Sequence, residues 1–236
     1  MYSRCISGNH CLDGCDLVKF DNNVENITVP RRYNSFIDSL DEEDCWVVFC
    51  HEDWKANEPL SPKVEKFNPD TLYGVVGTVV KHSLFIDLTL TMGYEHHSNK
   101  DGSDSRLFRG VRYEAPVDTF DCQCIIVHTS LIKKYGLRFD ERMEWDLYVE
   151  DFCAAAREKY GIMSRTFKLD CQHYSRGVIL QRFWDCLDYE KEKFKDSPHR
   201  YGVTVGKCTT FGGNQKRPIM HMHRPLLLKL WQAITD

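Results

Sequence analysis

The fold of this chain is limited chiefly by short apolar runs that alternate with helical patterns. Helical spacing of apolar residues occurs at about Pro30 to Leu40, Leu147 to Tyr160 and Val178 to Phe194. Strands alternating with helices predict an α/β fold with a mostly parallel sheet flanked by helices. Five apolar runs, each bounded by turn residues, have strand character: Leu17 to Phe20, Trp46 to Cys50, Gly74 to Val80, Cys122 to His128 and Met163 to Leu169.

The length and composition predict one domain rather than several. With 236 residues the chain can bury one sizeable core, and we expect residues 1–236 to form a single domain in which 208–236 is a C-terminal loop and helix extension. A net charge of -4 gives no overall field that would hold a polyanion, so we expect no nucleic-acid partner. The longest apolar runs are far shorter than the roughly 20 residues that cross a bilayer, which predicts no transmembrane segment. Eleven scattered cysteines suit free thiols in a reducing compartment, and we therefore expect a cytoplasmic location.

Three ionisable side chains directly follow one of the predicted strands. The stretch CWVVFCHEDW runs apolar to Cys50 and then reaches His51, Glu52 and Asp53. In open parallel sheets ligands bind at the carboxyl ends of strands. The Asp53 carboxylate could hold Mg²⁺ or Mn²⁺ there, and His51 has the same facing by the two-residue period of a strand. The alternative is an ordinary solvated turn.

Five stretches follow one another along the chain in an order that is typical of one protein family. They are FDNNVENITVPRRYN, WVVFCHEDW, VDTFDCQCIIVHTSLI, GLRFDERMEWDLYVEDFCAAAREKYGI and LDCQHYSRG, and the most specific pieces within them are FCHED, WDLYVEDFC and QHYS. This succession, which covers roughly residues 15–180, resembles the family 2-like glycosyltransferases of the GT-A fold, in particular the branch related to the streptomycin-biosynthesis StrF-type domain.

This resemblance implies a GT-A-like, Rossmann-like domain that binds a divalent cation. Such a protein transfers a sugar from a nucleoside diphosphate sugar to a hydroxyl of a glycan or another acceptor, with Mn²⁺ or Mg²⁺ held against the diphosphate. Asp53 matches the last position of the family's acidic cation-binding motif, and His51 stands where many relatives have Asp. His173 matches a position that supplies a further cation ligand from a distant part of the chain. The alternative for His173 is a hydrogen-bonded structural histidine.

The same resemblance implies a general base. Asp151, in the segment VEDFC, matches the carboxylate that deprotonates the acceptor hydroxyl, and Glu150 stands beside it. The implied reaction is a single displacement that inverts the anomeric carbon through an oxocarbenium-like transition state. The alternative for Asp151 is a helix residue that forms an ion pair with a neighbour.

Contacts to the donor are implied for three further residues. Asp21, with Asn22 beside it, stands where relatives contact the base or ribose of the nucleotide; the alternative is a turn or a helix cap. Asp118 and Asp121 lie in the acceptor-side segment, where one carboxylate could bind a sugar hydroxyl or the donor's sugar while the other caps a strand. The motif places Asp121 nearer the site.

Two other classes of function are consistent with these residues. A metal-dependent phosphoesterase would gather Asp and His at strand ends but needs ligands for two ions. A non-catalytic nucleotide-sugar-binding module would keep the fold and lack the chemistry. Two polar stretches, Glu95 to Arg112 and Cys208 to Arg217, are predicted to be loops, and His96 and His97 in the first of them do not by themselves identify a ligand.

Overall fold

Two large β-sheets and five α-helices make up the described part of the protein, a computed structural model that covers residues 5–20, 22, 24–41, 44–175, 179–205 and 209–221. The helices are α1 (Val29–Asp38), α2 (Ser61–Val64), α3 (Thr129–Tyr135), α4 (Tyr148–Tyr160) and α5 (Gln181–Lys193). The strands are β1 (Trp46–Cys50), β2 (Trp54–Ala56), β3 (Thr71–Gly74), β4 (Val76–His82), β5 (Asp87–His97), β6 (Arg106–Arg109), β7 (Ala115–Val117), β8 (Thr119–Phe120), β9 (Cys124–His128), β10 (Met163–Thr166), β11 (Cys171–His173), β12 (Tyr201–Gly202), β13 (Thr210–Phe211) and β14 (Ile219–His221). Short 3-10 turns occupy His10–Leu12 and Glu141–Met143.

The first sheet has the strand order β1-β9-β3-β10-β7 and lies between two apolar cores. All five residues of β9 are buried, which explains its uninterrupted apolar sequence. Its side chains alternate between faces: Ile125 and Val127 join the larger core cluster, which includes residues of α4, and Ile126 joins a smaller cluster around Trp54. The predicted strand Trp46 to Cys50 is confirmed as β1.

The second sheet has the order β2-β11-β5-β4-β8, and β6 and β14 also pair with β5. The long strand β5 pairs with β4 up to Gly93 and with β6 and β11 beyond it. Gly93 has a φ of +108°, and a Cβ there would overlap the Val75 carbonyl oxygen, so only glycine allows this close approach. Past the glycine, β5 carries Glu95 and His97.

The prediction of a mostly parallel sheet is wrong for the described strands. Only three pairings are parallel, β3 with β10, β5 with β11 and β5 with β14; the others are antiparallel. No helix lies between β3 and β9, so consecutive strands there are joined by short turns, which permit only antiparallel neighbours. The architecture is therefore a mixed α/β one. The predicted loop Glu95 to Arg112 is also corrected, because it holds the end of β5 and all of β6.

The predicted helices form close to their expected bounds. α1 has a proline in its first turn, and α4 ends at Gly161, whose φ of +68° suits a left-handed C-cap. α5 lies within the predicted Val178 to Phe194; Val178 and the predicted helix near the C-terminus lie outside the described residues. Within the described ranges, every helix is too short or too polar to cross a bilayer. The ten cysteines of these ranges are free thiols, as expected.

The predicted strand Leu17 to Phe20 does not form. These residues are irregular, and Leu17 and Val18 are 46% and 57% exposed. An apolar run becomes a strand only where a neighbouring strand accepts its backbone hydrogen bonds, and neither sheet extends to this segment.

Candidate metal centre and adjoining cavity

A cavity of about 700 Å³ lies where the two sheets meet the start of α4. Its wall includes His51 after β1, Glu95 and His97 of β5, His173 of β11, and Glu150 of α4. A concave space of this size suits a small-molecule ligand. The fold therefore brings imidazoles from three segments next to a buried carboxyl group.

His51, Asp53 and His173 form a first group of possible metal ligands, with one ligand atom of each within 4.8 Å of the others. Asp53 Oδ1 lies 3.4 Å from His173 Nε2 and 3.8 Å from His51 Nδ1. The pairing of β2 with β11 sets Trp54 opposite His173, and the backbone N–H of Tyr174 donates to the Asp53 carbonyl at 2.9 Å. The sheet thus assembles the three residues that the resemblance implied as cation ligands.

Tyr148 fixes the orientation of His51. Its hydroxyl lies 2.6 Å from His51 Nε2 and donates to the Cys122 carbonyl oxygen at 3.2 Å. When the hydroxyl donates its proton to that carbonyl, Nε2 is the donor in the contact with Tyr148. The lone pair is therefore on Nδ1, the nitrogen that faces Asp53.

The charges of this group suit metal binding at neutral pH. Burial opposes ionisation of Asp53, but the adjacent His173 and His51 outweigh it and hold the pKa of Asp53 below its usual value. Burial, together with His173, lowers the pKa of His51. Burial acts in the same direction on His173, but Asp53 and other nearby carboxylates more than offset it, so that its pKa is raised. The group holds an anionic oxygen and a neutral His51 nitrogen, and a cation would replace the proton of His173.

Several atoms of this group are buried without a hydrogen-bond partner. Within the described residues, this applies to Asp53 Oδ1 and both ring nitrogens of His173, so the 3.4 Å contact between them is an ion-pair contact without hydrogen-bond geometry. Buried polar atoms are nearly always paired, and an ion is one recognised partner. Two imidazoles and a carboxylate are a donor set that fits a divalent transition metal.

Glu95, His97 and His173 form a second group, also with ligand atoms within 4.8 Å of one another. The parallel pairing of β11 with β5 sets His173 directly beside His97, and their ring centroids are 5.1 Å apart. Glu95 Oε1 lies 3.3 Å from His97 Nδ1. His173 is therefore shared by both groups.

Glu150 and Asp121 also line the cavity. Glu150 is 1% exposed, and burial together with Asp121 raises its pKa to about 8. The Cys122 thiol donates to Glu150 Oε2 at 3.1 Å. Asp121 accepts from the backbone N–H of Gln123 at 3.2 Å and from the Thr204 hydroxyl at 3.0 Å. Glu150 is thus a carboxyl group that exchanges its proton near neutral pH.

Asp151 lies elsewhere. Its carboxylate pairs with Lys193 of α5, which also donates to Asp140 at 2.8 Å, and Asp151 is absent from the cavity wall. Burial raises the pKa of Asp151, although Lys193 opposes this. Successive helix residues point about 100° apart, so when Glu150 faces the cavity Asp151 faces α5. The structure therefore places the predicted base outside the cavity and its neighbour Glu150 on the cavity wall, which also carries His51 and His173.

Some of the predicted donor contacts lie on the cavity wall and others do not. Asp121 lines the cavity, whereas Asp118 accepts from the backbone of Val80 and pairs with Arg157. Asn22 closes its own loop, accepting from the Ile27 N–H at 2.9 Å and donating to the Ile27 carbonyl at 2.7 Å. Asp21 lies outside the described residues.

The segment before α4 is strained. Glu144 and Leu147 have φ values of 42° and 60°, which non-glycine residues adopt at a cost of about 1–3 kcal/mol. Trp145 and Asp146, which lie between them, line the cavity, and Arg182 donates to Asp146 at 2.6 Å. Tertiary contacts, rather than the backbone preferences of these residues, hold this part of the cavity wall in place.

Glu95 and His97 were missed as candidate ligands because their segment was interpreted as a loop. A signal was available: in the stretch DLTLTMGYEHH, Leu88, Leu90 and Met92 alternate with polar residues, as in a strand. Continuing that period places Glu95 and His97 on one face and His96 on the other.

Comparison with known proteins does not assign the chain to a family. A scan against protein-family models and a search of curated proteins each find no match to the chain. The chemistry of the site must therefore be argued from its own geometry.

Proposed function

We propose that this protein is a divalent-cation-dependent glycosyltransferase of GT-A-like architecture that moves a sugar from a nucleoside diphosphate sugar to a hydroxyl acceptor. The observation that carries the proposal is one cavity whose wall includes His51 and His173, two possible cation ligands, and the buried Glu150. Sugar transfer needs positive charge beside the leaving diphosphate, which a bound cation can supply, and a group that takes the acceptor proton. The order of the sequence motifs supports the GT-A assignment.

Asp53, His173 and His51 would hold the cation, Mn²⁺ or Mg²⁺. When bound, such an ion supplies Lewis-acid stabilisation of the negative charge on the diphosphate. Tyr148 keeps His51 Nδ1 directed at Asp53, whose side chain is only partly exposed. The imidazoles favour Mn²⁺ over Mg²⁺, which prefers oxygen ligands.

Glu150, rather than Asp151, would be the general base. The acceptor oxygen forms a bond to the anomeric carbon as the bond to the diphosphate oxygen breaks, and the acceptor proton passes to the Glu150 carboxylate. The diphosphate leaves with the bonding electron pair, and the anomeric carbon is inverted. A base with a pKa of about 8 must lose its own proton first, so kcat/KM rises with pH up to about pH 8.

Asp121 would accept a hydrogen bond from a hydroxyl of the donor sugar, since its carboxylate lies on the cavity wall. Asp21 stays a predicted contact to the base or ribose of the nucleotide. Asn22 has no part in this proposal, because its side-chain amide is used in closing the loop to Ile27.

Hydrolysis of a phosphoester is the second candidate function. It is favoured by the addition of Glu95 and His97, which brings the metal-ligating side chains to five. The two groups share His173, however, and one neutral imidazole binds one ion. Two-ion hydrolysis would need both positions filled together, and sugar transfer is therefore the better supported function.

A thermal-shift screen of nucleoside diphosphates and their sugars, with and without Mn²⁺, tests the proposal. A ligand that binds only the folded state at about 100 times its Kd adds about 2.7 kcal/mol, which raises Tm by several degrees. We expect a rise that depends on both nucleotide and Mn²⁺. Asp53→Asn should abolish the part of the rise that needs nucleotide and Mn²⁺ together, and Asp70→Asn, at an exposed aspartate, should leave it unchanged.

Two results would contradict sugar transfer. One is the absence of any nucleotide-dependent shift. The other is rapid release of inorganic phosphate from a phosphoester with Mn²⁺ and no acceptor, which would favour hydrolysis instead.

A further inference from the structure

The strand β5 places two possible metal ligands on the face that carries His173. Alternation along β5 puts Glu95 and His97 on one face, and the pairing of His173 with His97 brings the histidine of β11 beside them. His96 points the other way, where its Nε2 lies 3.6 Å from Asp170 Oδ1. The grouping is thus built by strand register rather than by a surface loop.

Several ligand atoms of this group are buried and have no hydrogen-bond partner among the described residues. Glu95 is 4% and His173 is 7% exposed. Among the described residues, Glu95 Oε2, His97 Nε2 and both ring nitrogens of His173 have no hydrogen-bond partner. A buried carboxylate beside two imidazoles with unused nitrogens is costly unless a cation or protons satisfy it.

The donor set indicates the class of ion. Two imidazoles and one glutamate are a set that binds Zn²⁺ in proteins, and the nitrogen ligands disfavour Mg²⁺ and Ca²⁺. Among divalent first-row ions, affinity for such a set rises from Mn²⁺ through Co²⁺ to Zn²⁺. Co²⁺ is therefore a suitable spectroscopic probe.

We propose that Glu95, His97 and His173 form a second cation position for an ion of the Zn²⁺ class, and that it competes with the His51–Asp53–His173 position for His173. A neutral imidazole has one lone pair, and binding two ions through both nitrogens would require removal of its remaining proton. The chain therefore holds one such ion at a time near neutral pH, in either position. Loss of one position leaves the other available.

Equilibrium dialysis of the 236-residue chain with Co²⁺, followed by visible absorption, tests this arrangement. We expect one Co²⁺ per chain in the wild type, in His51→Ala and in His97→Ala, and no displacement by excess Mg²⁺. The double variant His51→Ala/His97→Ala should bind at least about 100-fold more weakly, since loss of even an outer-shell partner costs about 10- to 100-fold. His96→Ala, on the opposite face of the same strand, is the matched control and should bind as the wild type does.

Two outcomes would overturn the proposal. Loss of binding in either single variant would show that only one position exists, and two Co²⁺ per chain in the wild type would show that the positions do not compete. Urea denaturation in the presence of a chelator checks that each variant folds. If the double alanine variant does not fold, Asp53→Asn/Glu95→Gln is the substitute, because it keeps side-chain volume. The assay uses no nucleotide, so its failure would leave the sugar-transfer proposal to its own test.

Discussion

The carboxyl group of Glu150 should make the stability of this protein fall as pH rises. Burial together with Asp121 raises its pKa from 4.5 to about 8. The folded state then binds this proton more tightly than the unfolded state does, so the folded state is favoured while the proton is present. Stability is greatest below about pH 4.5 for this group, declines between pH 4.5 and about 8, and levels off above that.

The size of the effect follows from the two pKa values. Each pH unit between the unfolded-state pKa and the folded-state pKa of Glu150 lowers the free energy of unfolding by about 1.4 kcal/mol. Complete ionisation of Glu150 therefore removes roughly 5 kcal/mol of that free energy. Most small domains have only about 5–15 kcal/mol in total. The contribution of this one residue is therefore large enough to measure by urea denaturation.

The measurement compares the wild type with Glu150→Gln at about pH 5, 6.5 and 8. Glutamine has nearly the same shape but cannot ionise, so the variant should lack this part of the pH dependence and become more stable than the wild type above pH 7. Other groups titrate in both proteins, and the difference between the two curves isolates Glu150. If the two proteins lose stability in parallel, Glu150 is not held in a buried, proton-binding environment.

Lys193→Met removes the partner of Asp151 and should cost about 3–5 kcal/mol of stability at pH 7, because a buried carboxylate is left unpaired. A loss below 1 kcal/mol in urea denaturation would contradict the structural role given to that pair. In a His97→Ala background, which removes the second cation position, Tyr148→Phe removes the hydroxyl that orients His51 and should weaken Mn²⁺ binding about 10- to 100-fold without loss of folding. Calorimetric titration with Mn²⁺ measures this, and unchanged affinity would show that the imidazole needs no such support.

Signals in the sequence were enough to predict the first group of possible metal ligands. Asp53 and His51 follow a strand whose apolar run is unambiguous, and the motif order added His173. Helices α4 and α5 were also found, because their apolar periodicity and caps are local properties. These features can be predicted without knowing which residues pack against them.

The predictions that the structure corrects depend on contacts between residues that are far apart in the sequence. Whether Glu150 or Asp151 faces the cavity depends on how α4 is rotated, and that rotation is set by its packing in the core and by the pairing of Asp151 with Lys193 of α5. Glu95 and His97 join a group of possible ligands with His173 only because β11 pairs beside β5. The antiparallel pairings were missed for the same reason, since spacing along the chain does not show which strands are neighbours.

The most direct test of the account is turnover of a nucleoside diphosphate sugar with Mn²⁺, followed by release of the nucleoside diphosphate, in the wild type, Glu150→Gln and Asp151→Asn. The donor is the one selected by the thermal-shift screen. Loss of a general base lowers the rate about 100- to 10,000-fold, so Glu150→Gln should be slowed by that factor, whereas folded Asp151→Asn should keep a rate within a few-fold of the wild type. Turnover that needs no divalent cation, or that survives in Glu150→Gln and disappears in Asp151→Asn, would contradict a reaction between this cation group and Glu150.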